Sequence, residues 1–341
     1  MHVSTGSGGM ESLLVNCLSP GQHVAAVVSG KFGERWADMA EAYGAKVSRF
    51  EVTWGQAVDV VKFSTWLKAL PAKPDIVLSQ ACETSTAVLH PIREMARVIR
   101  EAASEALFLV DAITALGALE MPMEAWDLDG VVGGSQKAFM LPTGLSFVAW
   151  SARAWQKIPT AKSPRFYFDI RDELEANKRG ETNFSSAVPL VRALDDVLLK
   201  IEKAGGFPAL YKRIDTLAKA TREACLHMGL QLLAADAPSP SLTAICTPSG
   251  IDGAKWRGLL ETKYGVVLMG GQDRLKGQII RIGHMGYITD DELLRALRAI
   301  AESANELRSD LKDGVITRER IESGLRLAQS LLEKAPMPWS P

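Results

Sequence analysis

Short apolar runs alternate with amphipathic stretches over the first 150 residues, and this alternation limits the folds that the chain can adopt. Six runs have the composition of buried strands: residues 23–28, 46–50, 75–79, 106–110, 130–133 and 146–150. Three stretches between them have helical periodicity: residues 32–43, 58–70 and 91–103. Continuous apolar strands that alternate with helices predict an α/β fold, in which a mostly parallel sheet is covered by helices on both faces.

The chain of 341 residues is too long for one small core, so we expect two domains. A large domain is predicted for residues 1–205 and a smaller α/β domain for residues 206–310, with one of its strands at residues 231–234. Residues 311–341 are predicted to form a charged, amphipathic helical tail, packed on its own domain rather than on a partner. Residues 151–183 are polar and aromatic, which predicts an irregular segment.

The composition argues against several functions. A formal net charge of −1 gives no electrostatic basis for binding nucleic acid or an anionic membrane. No segment approaches the ~20 apolar residues that span a bilayer. The first residues, from Met1 to Gly6, lack the basic and apolar regions of a signal peptide. The four cysteines have no metal-binding spacing with the five histidines, so we expect no metal site and a cytoplasmic protein.

Two charged residues stand at the ends of predicted strands. Asp111 closes the run 106–110, and Lys137 follows the apolar run 130–133 after a short polar step. Ligands of parallel sheets bind at the carboxyl ends of the strands. Pyridoxal phosphate needs such a pair, because its aldehyde forms a Schiff base with a lysine and its ring nitrogen needs a carboxylate to stay protonated. The alternative is an aspartate that caps a turn and a lysine that is solvated.

Two further motifs suit anion binding. Thr5, Gly6 and Ser7 begin a glycine-rich turn before a predicted helix, whose free N–H groups and dipole attract a phosphate, although an ordinary helix start is the alternative. The dinucleotide-binding pattern would need glycine where Glu11 stands, so a dehydrogenase is not indicated. Arg281 lies inside an apolar strand, where it needs an anion: a substrate carboxylate or an internal salt-bridge partner.

Together these motifs resemble those of the class V, fold-type I pyridoxal-phosphate aminotransferases, and most closely the alanine–glyoxylate/serine–pyruvate group. The resemblance extends from about Ser4 to about Leu307 and is strongest at Gly130–Gly144 and Leu14–Gly21. It implies a seven-stranded, mostly parallel sheet in the large domain, and a homodimer. It also implies a transaminase that moves an amino group from alanine or serine to a 2-oxo acid such as glyoxylate or pyruvate.

The resemblance also implies a role for each residue that matches a family motif. Lys137 would form the Schiff base, Asp111 would hold the pyridine nitrogen, and Arg281 would bind the substrate carboxylate. Further cofactor contacts are implied for Thr5, Gly6, Ser7 and Gln136 at the phosphate, Thr182 at the phosphate in the other subunit, Phe32 on the ring and Thr84 at the phenolic oxygen.

The chain departs from the family pattern in three places. Arg179 stands where relatives have a tyrosine shortly before Thr182, and Ser7 replaces a bulkier residue. Family members have a sizeable stretch before the phosphate loop, which begins here at Thr5. We therefore expect an N-terminal stretch to be missing, as in a fragment, a misassigned start or a naturally short form.

Three alternative functions remain open on the sequence. A cysteine desulfurase or related lyase is disfavoured because Gln136, and not a histidine, precedes Lys137, and because no cysteine lies in a glycine-rich loop of the small domain. A phosphonate transaminase of the same class also fits the motifs. A non-catalytic homologue that serves as a structural subunit is the alternative from another class of protein.

Overall fold

The computed structural model describes residues 1–308 and 316–335. The helices are α1 Gly6–Cys17, α2 Lys31–Ala42, α3 Val60–Ala69, α4 Ile92–Ala102, α5 Ala152–Lys157, α6 Ile170–Asn177, α7 Val188–Lys203, α8 Gly206–His227, α9 Gly253–Thr262, α10 Asp290–Leu307 and α11 Arg318–Leu332. The strands are β1 His23–Val28, β2 Lys46–Glu51, β3 Ile76–Gln80, β4 Cys82–Glu83, β5 Val88–Leu89, β6 Leu107–Asp111, β7 Gly130–Gly134, β8 Ser146–Trp150, β9 Leu242–Cys246, β10 Met269–Gly270 and β11 Ile279–Gly283.

The first of two compact units contains the large sheet. This unit comprises residues 1–83, 89–116 and 120–198. Its strands follow the order β2-β1-β3-β6-β7-β8, and all neighbours pair in parallel except β7 and β8, which are antiparallel. The prediction of a mostly parallel sheet flanked by helices is confirmed.

The sheet has six strands in the described residues, rather than the seven that the resemblance implied. Each of the six apolar runs supplies one strand. Next to β8, His2 forms a single antiparallel bridge with Ser146, and their backbones exchange hydrogen bonds of 2.9 and 3.0 Å. One residue pair is too short to form a strand, so the sheet of the described residues ends at β8.

Burial explains why the central strands have no alternating pattern. Strands β3, β6 and β7 are buried along their whole length, and edge strand β2 is partly exposed. Helices α1 and α2 contribute Leu13, Leu14 and Trp36 to the same buried cluster as the strands. Because β6 and β7 run parallel, with Asp111 beside Val132, their carboxyl ends bring Asp111 and the turn that contains Lys137 to one edge of the sheet.

The second unit comprises residues 84–88, 117–119 and the described chain from residue 199 onward. Its sheet has the order β10-β11-β9 with antiparallel pairing. Helices α8 to α11 enclose a core that includes Trp256 and Ile300. The division between the units falls at residue 198, inside α7, whereas the predicted domain boundary was residue 205.

Two local predictions are wrong. Residues 151–183 are not irregular throughout, because α5 and α6 lie there, and Ser151 and Asp169 cap them by accepting backbone N–H bonds. Residues 231–234 do not form a strand, because a single bridge between Leu232 and Ile245 is the pairing there.

The predicted tail is described only over residues 316–335. Helix α11 lies there, and its Ile321, Leu325 and Leu332 join the buried core of the second unit. Residues 311–315 and 336–341 of the predicted tail lie outside the described residues. Among residues 1–308 and 316–335, no helix is long and apolar enough to cross a bilayer.

Candidate active site

Asp111 is the last residue of β6 and is 5% exposed. Its Oδ1 accepts a hydrogen bond from the N–H of Ile113 at 2.9 Å. Burial raises the pKa of Asp111 to about 7, and the negative charge of Glu83 acts in the same direction. The N–H of Ile113 and the positive charges of Lys137 and Arg35 act against this rise. The carboxyl group therefore exchanges its proton near neutral pH, with two cations within electrostatic range.

Lys137 is half-buried in the turn that follows β7. The hydroxyl of Ser135 fixes this turn, because it donates to the carbonyl of Pro142 at 2.8 Å and accepts the N–H of Leu145 at 3.2 Å. The N–H of Met140 donates to the carbonyl of Lys137 at 3.0 Å, and Met140 has a φ of 60°. A left-handed backbone is costly for methionine, so these hydrogen bonds hold a strained turn.

The N-terminus of α1 abuts the segment that follows Asp111. Thr5 caps the helix, and its Oγ1 accepts the N–H of Gly8 at 3.4 Å. A Cβ atom on Gly6 would lie 2.5 Å from Cδ1 of Ile113, so glycine allows this close approach without a shift of the Ile113 side chain. The positive end of the α1 dipole is thereby held close to the carboxyl end of β6.

Gln136 tests whether an anionic cofactor fits this region. Its Oε1 atom is buried without a hydrogen-bond partner among the described residues, and it would lie 2.9 Å from a Cβ atom on Gly134. An unsatisfied buried polar group costs about 1–3 kcal/mol, and a half-turn of the amide would present N–H donors instead. These donors and the N–H groups of α1 suit a phosphate, while Asp111 and Lys137 suit a ring nitrogen and an aldehyde. The residues present therefore fit pyridoxal phosphate.

Two charged side chains of this region were not among the predicted site residues. Arg35 donates from Nη1 to the Oγ of Ser7 at 3.0 Å, and its guanidinium carbon lies 4.9 Å from the centre of the Phe32 ring. The carboxylate of Glu83 accepts the N–H groups of Phe32 at 3.2 Å and Gly33 at 3.1 Å. The spacing of Phe32 and Arg35 by one helical turn was the sequence signal for their contact.

Arg281 and Thr84 both belong to the second unit. Arg281 lies in β11 and is 7% exposed. It donates from Nε and Nη2 to the carbonyl of Gly270 at 3.1 and 2.9 Å, and from Nη1 to the carbonyl of Thr84 at 2.8 Å. These carbonyl oxygens orient the planar guanidinium group through its N–H donors.

Thr182 and Arg179 lie in the loop that follows α6. Both are exposed: Thr182 donates from Oγ1 to the carbonyl of Phe184 at 2.6 Å, and Arg179 pairs with Glu181 at 3.1 Å. Neither side chain forms a hydrogen bond with Asp111 in the described part of the chain. The role of Thr182 at a second subunit's site stays a prediction.

Within residues 1–308 and 316–335, no group of three or more His, Cys, Asp or Glu side chains is arranged to hold a metal ion. The polar side chains that converge at the carboxyl edge of the large sheet are instead those that suit an organic phosphate.

The family match and the similar solved structures identify a pyridoxal-phosphate-dependent aminotransferase. The chain belongs to the class V aminotransferase family, whose model matches residues 3–295. The resemblance drawn from the motifs is therefore confirmed at the level of the family.

Three known proteins show the range of functions among similar chains. The small subunit of a soluble hydrogenase from Synechococcus sp. is 38% identical over 306 residues, which cover 89% of this chain and 79% of that protein. An L-aspartate–glyoxylate aminotransferase from Paracoccus denitrificans is 34% identical, with 90% of this chain and 77% of that protein covered. The crystal structure of ureidoglycine–glyoxylate aminotransferase from Bacillus subtilis superposes with a TM-score of 0.85 at 28% identity, covering 96% of this chain and 84% of that one.

Proposed function

We propose that this protein is a cytoplasmic transaminase that moves an amino group from alanine or serine to a 2-oxo acid such as glyoxylate or pyruvate. The observation that carries the proposal is Asp111, a buried carboxyl group at a strand end, within electrostatic range of Lys137. Two relatives whose names include glyoxylate support the acceptor. Their named donors differ, so the donor needs a direct test.

The proposed cofactor and the chain divide the chemistry between them. Pyridoxal phosphate, when bound, supplies an aldehyde that takes up amino groups and a ring that delocalises the electrons left at the α-carbon. Asp111 would keep the ring nitrogen protonated. A cation against this carboxylate favours its ionised form, which lowers the pKa that burial has raised.

Lys137 would hold the cofactor between turnovers and, once released, act as the general base. In that role its ε-amino group removes the proton from the α-carbon of the amino donor and returns a proton during the second half of the reaction. Ser135 fixes the turn that carries Lys137, and this supports the proposal, because a general base must be held close to the proton that it removes.

Arg281 would bind the carboxylate that every donor and acceptor in this reaction carries. Its planar guanidinium group is buried and oriented by two carbonyl groups, which suits bidentate binding of a carboxylate. Alanine and serine carry a single carboxylate, so one such arginine is sufficient for them.

Absorbance spectroscopy tests the assignment of Lys137. Protein mixed with pyridoxal phosphate should develop a visible band that shifts when alanine or serine is added. Lys137→Ala should lose both the band and turnover while its circular dichroism stays unchanged. Lys178→Ala removes an exposed lysine that pairs with Glu175, and this control should behave as wild type. A colourless protein that takes up no cofactor would contradict the proposal.

A panel of donors and acceptors tests the substrates. Alanine, serine, aspartate and a phosphonate-containing amine should each be paired with glyoxylate and with pyruvate, and formation of the amino product followed by chromatography. We expect turnover with alanine or serine, and slower turnover with aspartate. Turnover only with a phosphonate-containing amine would move the assignment to a phosphonate transaminase.

We further propose a homodimer in which Thr182 of each subunit binds the phosphate at the other subunit's site. Exposed aromatic residues of the first unit support an interface: Phe166 is 81% exposed and Tyr167 is 42% exposed. Aromatic side chains are enriched at contacts between proteins.

Mixed dimers test the exchange of Thr182. A hybrid of a Lys137→Ala subunit and a Thr182→Ala subunit would contain one complete site if the threonine acts across the interface. The hybrid should then bind cofactor at one site as tightly as wild type. If Thr182 acts within its own subunit, no site of the hybrid would be complete.

A structural subunit is the second candidate, favoured by the relative named as the small subunit of a hydrogenase. It predicts a folded protein that turns over none of the donor–acceptor pairs. Binding of pyridoxal phosphate together with turnover in the panel would exclude a purely structural role.

A further inference from the structure

Arg35 occupies an unusual position for a cation. It lies in the first turns of α2, is half-buried, and reaches across to Ser7 in the first turn of α1. Its guanidinium carbon lies over the Phe32 ring, 4.9 Å from the ring centre, which is a cation–π contact. Two independent contacts therefore hold one positive charge at the N-terminus of α1.

The contacts of Arg35 leave its charge without a matching anion. In the described residues, its direct partners are a neutral hydroxyl and an aromatic ring, and the carboxyl group of Asp111 is near enough only for a weaker electrostatic effect. The N-terminus of α1 carries positive partial charge as well. A guanidinium group held beside it is unfavourable unless an anion binds between the two.

The hydrogen bond to Ser7 also has a consequence for the hydroxyl. Because the Oγ of Ser7 accepts the N–H of Arg35, its own proton is left to be donated elsewhere. An O–H that accepts a bond from a cation becomes a stronger donor. Arg35 and Ser7 therefore offer two kinds of donor at the N-terminus of α1, a charged N–H and a polarised O–H.

We propose that Arg35 is a ligand of the cofactor's phosphate group, which it binds together with Ser7 and the first N–H groups of α1. This inference rests on the proposed function, because it needs a phosphorylated cofactor at the site. It adds a cationic phosphate ligand to the neutral donors predicted from the motifs.

Comparing two forms of the cofactor tests the role of Arg35. Cofactor-free protein is titrated with pyridoxal phosphate and, separately, with pyridoxal, which lacks the phosphate, and binding is followed by absorbance. Arg35→Met should weaken binding of pyridoxal phosphate about 10- to 100-fold, the value of one or two hydrogen bonds to a charged group. Binding of pyridoxal should stay unchanged. Inorganic phosphate should also compete less well for the variant than for wild type.

Two further variants separate charge and folding from direct binding. Lys31→Met removes the same charge from the same helix, at a residue whose amino group lies 3.7 Å from Glu34, and its affinity for pyridoxal phosphate should equal that of wild type. Arg35→Lys keeps the charge without the planar fork, and should restore part of the lost affinity. It also serves if Arg35→Met folds poorly.

Each outcome bears on one of the two proposals. If Arg35→Met weakens pyridoxal phosphate and pyridoxal equally, or neither, Arg35 does not bind the phosphate. If wild-type protein binds neither compound, the proposed function itself fails.

Discussion

Two buried aspartates at opposite ends of the large sheet differ sharply in the hydrogen-bond and ion-pair partners of their carboxyl groups. Asp111 ends β6 at the carboxyl edge. Asp129 precedes β7 at the amino edge, where its carboxylate accepts the N–H of Phe108 near the start of β6. Both are buried, so both pay the cost of removing a carboxylate from water.

Asp129 has a donor on each side of its carboxylate. Its Oδ2 pairs with Arg100 at 2.5 Å, and its Oδ1 pairs with Arg153 at 2.8 Å and accepts the hydroxyl of Ser151 at 2.8 Å. Asp111, by contrast, accepts one backbone hydrogen bond and has its pKa raised to about 7 by burial. A buried carboxylate whose two oxygens both pair with arginines stabilises the fold. A buried carboxyl group that accepts a single backbone N–H is available to bind a ligand.

Replacing each aspartate by asparagine should separate chemistry from stability, and the largest effect is expected at Asp111. Asp111→Asn should lower the rate of transamination at least about 10²- to 10³-fold, the usual cost of removing one electrostatic contact in an active site. Steady-state kinetics measure this loss. A variant with wild-type turnover would show that the ring nitrogen needs no carboxylate here.

The same change at Asp129 should act on stability instead. Asp129→Asn should lower the free energy of unfolding by about 3 kcal/mol, because it leaves Arg100 and Arg153 without their buried partner. Denaturant unfolding of the cofactor-free protein measures this loss. Cofactor-saturated protein that remains folded should keep near-wild-type turnover, and an equal loss of turnover in both variants would remove the distinction.

The pH dependence of stability should follow Asp111. Between about pH 4 and pH 7, folded Asp111 keeps its proton while the unfolded chain has lost it, because the pKa is raised to about 7 in the folded state. The folded state then binds more protons, so this group makes stability fall as pH rises through that window, by about 4 kcal/mol in all. Cofactor-free Asp111→Asn should lack this contribution. Melting curves at several pH values compare the two proteins.

Asp127 offers the smallest effect and the sharpest control for burial. It pairs with Arg100 at 2.6 Å and Arg153 at 2.7 Å, as Asp129 does, but its side chain is 56% exposed. Asp127→Asn should change the free energy of unfolding by less than about 1 kcal/mol, because exposed ion pairs contribute little. Its φ of 53° suits asparagine as well as aspartate, so backbone strain does not confuse the result. A loss as large as that of Asp129→Asn would show that charge, and not burial, sets the cost.

The predicted strands were recovered because burial on both faces leaves continuous apolar runs, as in β6. Short elements were not recovered. Helix α6 has eight residues and only two that are buried, so burial gives it little apolar pattern. Its local signals were the cap Asp169 and the acidic residues Asp172 and Glu173 in its first turn. Leu232 lies in an apolar stretch but pairs only with Ile245, through a single bridge in the described residues. Local sequence does not show how many residues of such a stretch will pair with a distant strand.

The candidate site shows the same division between local and long-range information. Asp111 and Lys137 were found because each is a charged residue that follows an apolar run with the composition of a buried strand. Arg35 was missed because an arginine on an amphipathic helix resembles any solvated residue, and its contact with Ser7 joins two helices. Glu83 stood in a recognised motif, yet its role at the first turn of α2 depends on a fold that brings β4 to that helix.

The close approach of Gly6 to Ile113 has a consequence for how this family of sequences can vary. A methyl group at position 6 would overlap three carbon atoms of Ile113, the nearest at 2.5 Å. Alanine at position 6 would therefore require the end of the Ile113 side chain to move, or a smaller residue at position 113. The size of residue that fits at position 6 should therefore depend on the residue at position 113, although one lies in a helix and the other follows a strand.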